Sequence, residues 1–306
     1  NLNLLMPNGQ FGTRIQGGHD SASPRYIHTE LNPIVQHLFP KEDMSLLKYN
    51  VDDGQTVEPL HYLPIVPLVL VNGMNGIGTG FSSHVPKFSI RDVTENILRR
   101  MRGEGYKPMA PYYEGFTGQI LKVDDKTYMS KGVYKVVNNT TIEITELPIG
   151  KWTDDYKKFL DSLLPDESSS KKSKEKKKKP KYTIVDYLNN SSDTRVHFTV
   201  TLPQGMMASL QWSEDPHIDG IEKYFKLTTT KGLSLNNIHL YNGKQQIQKY
   251  LNLNEILDEF YEARRELYVT RKDSQLKDFE REIAILDARI RFLRDVMEDH
   301  IVIYKR

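Results

Sequence analysis

A short polar loop carries the side chains best suited to chemistry on a phosphate. It reads Gly17-Gly18-His19-Asp20-Ser21-Ala22-Ser23-Pro24-Arg25-Tyr26. Glycine lets backbone N–H groups approach a phosphate closely, and short hydroxyl side chains add donors without bulk. Arg25 offers a rigid fork of donors that matches phosphate oxygens, and the adjacent Tyr26 hydroxyl is a candidate nucleophile. Pro24 favours extended backbone at Ser23, so Arg25 and Tyr26 are predicted to follow a turn. A surface loop with a packed tyrosine is the alternative interpretation.

A second candidate is Ile77, a bulky side chain between Gly76 and Gly78. The apolar run at 67–71 predicts a buried strand just upstream. A dinucleotide-binding turn would need a helix directly after the glycines and an acidic residue about 20 positions further on. Pro86 instead falls early, and the next helix is predicted only from Ser89. We interpret the glycine run as a backbone platform, on which Ile77 is either a core residue or an apolar wedge.

Three separated segments form a recognisable set: the run from Asn3 to Ile27 with its Ser-Pro-Arg-Tyr sequence, the run from Pro64 to Gly80, and Glu146-Leu147-Pro148 with Trp152. Together they resemble type IIA DNA topoisomerases, and the eukaryotic branch more than the bacterial gyrase branch. The resemblance is close over residues 1–155 and looser beyond them. It implies a fragment of the DNA breakage-and-rejoining core of an ATP-dependent enzyme that changes supercoiling and decatenates DNA by strand passage.

The resemblance also implies roles for individual residues. Tyr26 would attack the DNA backbone and form a 5′-phosphotyrosyl bond, with Arg25 as its catalytic neighbour. The DNA-binding residues would be Arg14, Gly17, Gly18, His19, Ser21, Ser23, Ile77 and Trp152, with Ile77 as the intercalating side chain. His19 stands where members of the family commonly carry lysine. A core tryptophan at the start of an amphipathic helix is the other interpretation of Trp152, and His28 is interpreted as a bystander.

Cofactors and partners follow from the same resemblance. Mg²⁺ is implied, with its ligands in a Toprim domain outside this chain, and ATP is implied for the full-length enzyme. The sequence contains no Asp-x-Asp, Glu-Gly-Asp or His-Glu-x-x-His pattern and no phosphate-binding nucleotide loop. No metal ligand is therefore predicted here, and the chain alone is predicted not to cleave DNA. Double-stranded DNA is the expected partner, within a homodimer of the full-length enzyme in the nucleus.

Size and charge constrain how such a surface can be built. A chain of 306 residues, 38% apolar and 27% charged, predicts two or three structural units. The net charge is only +2, so a DNA-binding surface requires local clustering of Lys and Arg. The absence of cysteine excludes disulfides and cysteine-based zinc sites. No apolar run approaches about 18 residues, which predicts no membrane span.

Periodicity predicts the elements that must position the loop and Ile77. Helical spacing is found at 27–38, 89–101 and 152–163, and from residue 252 onward. Strands are predicted at 118–123, 133–137, 141–147, 195–202, 224–227 and 235–241. The last helix carries a 3-4 apolar repeat that is typical of a coiled coil, at Leu276, Phe279, Ile283, Leu286, Ile290, Leu293 and Met297. Its partner helix is predicted to lie either C-terminal to the chain or on another subunit.

The predicted fold is therefore α+β and multidomain. The resemblance assigns residues 1–65 to the C-terminal half of a winged-helix domain that carries the tyrosine. Residues 66–250 would form a mixed α/β tower domain with a mobile lysine-rich insertion at 166–182, and 251–306 a coiled-coil arm that leads to a dimer gate. Eight lysines at 171–181 indicate either a solvated loop or a nuclear-localisation or nucleic-acid patch. Two other functions remain open: a non-catalytic DNA-binding or scaffold module with a coiled-coil arm, and a bacterial gyrase or topoisomerase IV A-type subunit.

Overall fold

The computed structural model describes residues 1–165, 183–210, 213 and 215–302, so the predicted insertion at 166–182 lies outside the described residues. The helices are α1 (Val35–Leu38), α2 (Lys41–Met44), α3 (Leu68–Asn72), α4 (Ile90–Met101), α5 (Thr153–Asp161), α6 (Met206–Leu210), α7 (Gly220–Tyr224) and α8 (Leu253–Met297). The strands are β1 (Tyr49–Asp52), β2 (Gln55–Pro59), β3 (Met74–Gly78), β4 (Phe81–Val85), β5 (Gln119–Lys122), β6 (Tyr128–Lys131), β7 (Val133–Asn138), β8 (Thr141–Glu146), β9 (Asp186–Asn189), β10 (Phe198–Thr201), β11 (Thr228–Thr229), β12 (Ile238–Tyr241) and β13 (Ile247–Tyr250). The predicted mixture of helices and small sheets is confirmed.

The chain divides into two compact units. The first contains Asn1–Pro33 and Pro67–Glu255, and the second contains Ile34–Val66 and the chain from Ile256 onward. The domain boundaries predicted above stay predictions. None of the described helices is long and apolar enough to cross a membrane.

The largest core of the first unit lies on one face of an antiparallel sheet ordered β7-β8-β10-β9. Val196, Phe198, Val200 and Leu202 are all buried, which confirms the alternation expected over 195–202. Helix α5 packs Tyr156 and Leu160 against this face. Because β8 ends and α5 begins beside the same core, the core fixes both elements relative to each other.

Three smaller sheets complete the first unit. One has the order β11-β6-β5, and the other two are the hairpins β3–β4 and β12–β13. In the β3–β4 hairpin Ile77 lies opposite Ser82, and Gly78 lies opposite Phe81. A two-residue turn at 79–80 therefore joins the strands, and Ile77 lies one residue from the strand end.

The second unit contains the β1–β2 hairpin, two one-turn helices and most of α8. Its buried ion pair joins Arg264 Nη2 and Asp43 Oδ2 at 2.6 Å, and both side chains are almost fully buried. Arg264 Nη1 also donates to the carbonyl of Leu63 at 3.0 Å. The ion pair and the charge-assisted hydrogen bond to Leu63 hold the first turns of α8 against residues 34–66.

Helix α8 runs without interruption for 45 residues, or about 68 Å. Its start is capped as the sequence predicts, because Glu255 N donates to Asn252 Oδ1 at 3.0 Å and Leu251 N donates to Glu255 Oε2 at 2.9 Å. Every residue of the predicted 3-4 seam is exposed, from 47% at Leu286 and Ile290 to 83% at Met297. The described part of the chain thus leaves the seam without a partner.

The helix expected over residues 27–38 is mostly wrong, because only Val35–Leu38 is helical. Leu31 and His28 instead form antiparallel bridges with Leu5 and Asn8. Pro33 also disfavours helical backbone at the residue before it. The apolar residues at 27 and 31 therefore lie on an irregular extended segment, and only the end of the predicted helix forms.

Two further strand predictions need correction. The apolar run at 67–71 forms the short helix α3, whose Leu70 and Val71 are buried, so a short apolar run did not distinguish strand from helix. The predicted strand at 224–227 is wrong, because Tyr224 ends helix α7 and the strand β11 is only Thr228–Thr229. Strand β6 was not predicted at all.

Candidate nucleic-acid interface

Tyr26 lies at the end of a single helical turn on the surface. Ser23 has extended backbone, with φ −58° and ψ 145°, and Pro24–Tyr26 form one 3₁₀ turn. The amide of Tyr26 donates to the carbonyl of Ser23 at 2.9 Å. This confirms the turn that Pro24 predicts. Tyr26 is 72% exposed, so its ring is open to solvent.

The segments on both sides of this turn are held by the N-terminal strand-like segment. Ala22 N donates to Gln10 O at 2.9 Å, and His28 N donates to Asn8 O at 3.0 Å. The exposed turn therefore has fixed ends, and Tyr26 is displayed on restrained backbone.

The loop that precedes the turn is closed by Asp20. Its carboxylate accepts hydrogen bonds from Thr13 N at 2.9 Å and from Thr13 Oγ1 at 2.5 Å. These bonds, the side-chain one first, lower the pKa of Asp20 from its ordinary value. The backbone at Gly12 passes close to the backbone at Gly18. Gly12 has φ +96°, and a Cβ there would lie 2.5 Å from the Cα of Gly18, so this close approach requires glycine at position 12.

Arg14 is fixed by a buried carboxylate. Its Nη2 forms a short ion pair with Glu146 Oε1 at the end of β8. Glu146 is 2% exposed, and its other oxygen accepts from Thr117 N at 3.3 Å and Thr117 Oγ1 at 3.0 Å. Leu147 N donates back to Oε1 at 2.9 Å. The Arg14 side chain keeps 28% exposure, so part of the guanidinium still faces solvent.

Trp152 packs against the loop at Gly17. A Cβ on Gly17 would lie 2.1 Å from Trp152 Cε2, and the left-handed φ of +64° also favours glycine there. Trp152 occupies the N-cap position of α5. The next two amides of the chain donate hydrogen bonds to this loop: Thr153 N to Arg14 O at 3.4 Å and Asp154 N to Ile15 O at 3.0 Å. Trp152 is therefore half-buried against the loop that carries the phosphate-binding candidates.

The remaining loop residues differ in what they can still donate. Gly18 N already donates to Thr13 O at 3.1 Å, His19 N to Gln16 O at 3.3 Å and Ser21 N to Gly18 O at 3.2 Å. The side chains of His19, Ser21 and Ser23 are exposed, as is Arg25. Free donors on this surface are thus mainly side chains rather than backbone amides.

Ile77 projects from the β3–β4 hairpin and is 91% exposed. No atom lies within 4 Å of a Cβ built on Gly76, so the glycine leaves bare backbone beside the isoleucine. The hairpin is held from its β4 side, where His84 N donates to Asn237 O at 2.8 Å. Ile77 and Tyr26 belong to the same compact unit, and no hydrogen bond or ring contact between them is found among the described residues.

Sequence reasoning missed the residues that fix this loop, namely Thr13, Asp20, Thr117 and Glu146. One sequence feature could have indicated the role of Glu146: it falls on the same face of β8 as Ile142 and Ile144, and that face is buried. A carboxylate on such a face needs a partner. That the partner is Arg14 could not be read from the sequence, since 132 positions separate the two residues.

No group of three His, Asp or Glu side chains that could hold a metal ion occurs in the described ranges. The acidic residues near the loop are already engaged in other interactions, since Asp20 accepts a hydrogen bond from Thr13 and Glu146 forms an ion pair with Arg14. The residues described here do not fit a magnesium site.

Comparison with known proteins gives consistent matches over the whole chain. A family model for the A-type subunit of DNA gyrase/topoisomerase IV matches residues 1–305. DNA topoisomerase 2 of Arabidopsis thaliana is 43% identical over 311 residues, which is 100% of this chain and 20% of that protein. DNA topoisomerase 2 top-2 of Caenorhabditis elegans is 40% identical over 304 residues, which is 99% of this chain and 19% of that protein.

A solved structure gives the same result. The crystal structure of the Plasmodium falciparum topoisomerase II DNA-binding, cleavage and re-ligation domain superposes with a TM-score of 0.87 at 37% sequence identity. The match covers 100% of this chain and 39% of that chain. This chain therefore spans about a fifth of the length of the curated relatives named above.

Proposed function

The chain belongs to the family of DNA gyrase/topoisomerase IV A-type subunits, and from that membership we propose that it is the DNA breakage-and-rejoining part of a type II DNA topoisomerase. The named relatives at 40–43% identity are eukaryotic DNA topoisomerase 2 proteins, which favours the eukaryotic branch over a bacterial A-type subunit. Strand passage, with its changes in supercoiling and catenation, belongs to the longer protein.

The observation that carries this proposal is an exposed tyrosine on restrained backbone beside an arginine. The phenol oxygen of Tyr26 attacks a DNA phosphorus, and a P–O bond to the tyrosine forms as the bond to the 3′ oxygen breaks. The phenol loses its proton, and the departing 3′ oxygen gains one and becomes a hydroxyl. The 5′-phosphotyrosyl link keeps the energy of the phosphodiester, so the reverse attack reseals the strand without ATP.

Arg25 supports this step electrostatically. A free tyrosine has a pKa of about 10, so about one phenol in a thousand is ionised near pH 7. Charge gained by the phosphate oxygens in the transition state must then be stabilised by nearby donors. Arg25 is exposed and adjacent to Tyr26, and its paired N–H groups match two phosphate oxygens.

The remaining residues proposed to contact DNA supplement Tyr26 and Arg25. Arg14, His19, Ser21 and Ser23 are proposed to contact the DNA backbone next to the cleaved bond through their side chains, and Gly17 and Gly18 to let that backbone approach the loop closely. Trp152, which packs against Gly17, is the remaining proposed DNA contact. Ile77 is the proposed wedge, since an exposed apolar side chain can partly unstack a base step and bend the duplex. The high exposure of Ile77 supports this role.

From the family resemblance, Mg²⁺ and ATP are proposed to bind other parts of the longer protein. The winged-helix half, the tower and the coiled-coil arm belong to the same proposal, as do homodimerisation and a nuclear location. The unpartnered seam of α8 supports the coiled-coil arm.

Replacing Tyr26 by phenylalanine in the full-length protein tests the proposal. DNA affinity should stay within about twofold, because only a hydroxyl is removed from an exposed ring, while denaturant-trapped covalent protein–DNA adduct should disappear. Tyr62→Phe is the control, since Tyr62 is 53% exposed on the surface of the other unit. Adduct formed by Tyr26→Phe would refute the assignment. Absence of adduct from the unaltered protein would favour the non-catalytic scaffold.

A further inference from the structure

We propose that Ser23 is a phosphorylation site for a proline-directed protein kinase, and that a phosphate there prevents DNA from engaging Tyr26. The inhibitory effect rests on the proposed function, whereas the site itself rests on the sequence and geometry around Ser23. In the transfer step Ser23 Oγ bonds to the γ phosphorus of ATP as the bond from that phosphorus to the β–γ bridging oxygen breaks. ADP leaves, and the hydroxyl proton passes to the catalytic aspartate of the kinase.

The residue that follows Ser23 distinguishes it from the other hydroxyl side chains of this chain. The sequence has 15 prolines, and Pro24 is the only one that follows a serine or threonine. Proline carries no backbone N–H. A kinase pocket without an acceptor for that amide therefore accepts proline and disfavours other residues, whose buried N–H would stay unpaired. Ser23 is thus the single proline-directed candidate among the 306 residues.

The backbone at Ser23 already has the extended shape in which a kinase cleft binds its substrate. Its φ of −58° and ψ of 145° lie close to polyproline II values. Ser23 is exposed, and its hydroxyl makes no capping hydrogen bond to the turn that it precedes. That turn is closed by the backbone hydrogen bond from Tyr26 N to Ser23 O at 2.9 Å. A kinase has to break this exposed bond to extend the chain past Pro24, and water can replace it in the open form.

A phosphate on Ser23 lies beside the proposed reaction centre. The hydrogen bond between Ser23 and Tyr26 spans three residues, and a turn of this kind keeps the two Cα atoms within about 7 Å of each other. A phosphoserine carries a charge of about −1.5 to −2 at pH 7. The Debye length at physiological salt is about 8 Å, so salt screens this charge only partly from a DNA phosphate at Tyr26. Like charges held so close oppose association.

The same phosphate competes with DNA for Arg25. Between Ser21 and Thr29, Arg25 is the only Asp, Glu, Lys or Arg residue of the sequence, and its side chain is exposed. Arginine binds a phosphate through two parallel hydrogen bonds, so phosphoserine two positions away can occupy the donors of Arg25. Phosphorylation therefore repels the DNA backbone and also removes the group proposed to stabilise the transition state.

The test treats the full-length protein with a proline-directed kinase and ATP, and compares every protein with its own untreated sample. Mass spectrometry should find phosphate on Ser23, and Pro24→Ala should acquire about a tenth as much or less. Denaturant-trapped covalent adduct should fall by about tenfold or more, with a loss of duplex affinity, and a phosphatase should restore both. In Ser23→Ala the kinase treatment should change neither quantity.

A pair of variants separates the charge at this position from the size of the side chain. Ser23→Glu adds a negative charge, and Ser23→Gln has nearly the same shape without the charge. Without any kinase, Ser23→Glu should form several-fold less adduct than Ser23→Gln. The difference should shrink as salt is raised, because screening weakens an electrostatic effect at an exposed site. A purely steric effect would lower both variants equally at every salt concentration.

An unmodified Ser23, after treatment with a kinase that phosphorylates a reference Ser-Pro peptide, would overturn the proposal. So would a protein phosphorylated on Ser23 that forms as much adduct as before. Equal phosphorylation of Pro24→Ala would overturn the assignment to a proline-directed kinase. If the untreated protein forms no adduct, the cleavage function fails and duplex affinity decides: a fall on phosphorylation keeps the site, and an unchanged affinity overturns it.

Discussion

Replacing Glu146 by glutamine should loosen the loop that precedes Tyr26. Glutamine keeps the shape of the side chain and one acceptor oxygen, but it removes the charge opposite Arg14. Hydrogen bonds to charged groups contribute about 1.5–3 kcal/mol. Because the Arg14 side chain is still 28% exposed, water replaces part of the lost interaction. We expect a loss of about 2 kcal/mol in the free energy of local loop opening.

Native-state hydrogen exchange measures this opening directly. The reporters are the amides of Thr153 and Asp154, which donate to the carbonyls of Arg14 and Ile15. A loss of about 2 kcal/mol corresponds to about 30-fold faster exchange when opening is an equilibrium. Local exchange is preferable to a global melt, since a chain with several units need not unfold in two states.

Glu143→Gln is the matched control, because Glu143 lies on the other face of β8 and is partly exposed. It should change exchange at these amides by less than twofold. Arg14→Gln should reproduce the effect of Glu146→Gln, and the double variant should add little to either, as residues in one ion pair are not additive. Equal exchange in Glu146→Gln and Glu143→Gln would refute the claim that this carboxylate holds the loop.

Two further substitutions test other parts of the surface. Ile77→Ala should reduce DNA bending without lowering the stability of the protein, since the side chain is 91% exposed; an unchanged bend angle by fluorescence energy transfer would refute the wedge. Gly17→Ala should displace Trp152, because the new Cβ would lie 2.1 Å from its ring, and overpacking of this kind costs about 1–3 kcal/mol. Tryptophan fluorescence and adduct yield would both change, and identical spectra would show that the ring does not pack there.

Local patterns predicted the elements that their own sequence determines. The 3-4 repeat and the absence of proline specified α8 over 45 residues, and the alternation around Phe198 specified β10. Pro24 predicted the turn before Tyr26. In each case the deciding interactions lie within a few residues of one another.

Long-range contacts explain what local patterns missed. Leu31 is extended because it forms a β-bridge with Leu5, and the sequence of residues 27–38 alone does not predict that pairing. The loop depends on Glu146, which lies 132 positions away from Arg14. The exposure of Tyr26 and Ile77 was likewise open at the sequence level, since both core and surface positions fitted their spacing.

The anchoring of the tyrosine loop has a mechanical consequence. Trp152, Asp154 and Glu146 join the loop to α5 and to β8, and both elements share one hydrophobic core. A force applied to a DNA strand bonded to Tyr26 would therefore be transmitted to the four-stranded sheet, because the loop is not a flexible linker. If Tyr26 forms the proposed bond to DNA, the bound strand end would move together with this sheet.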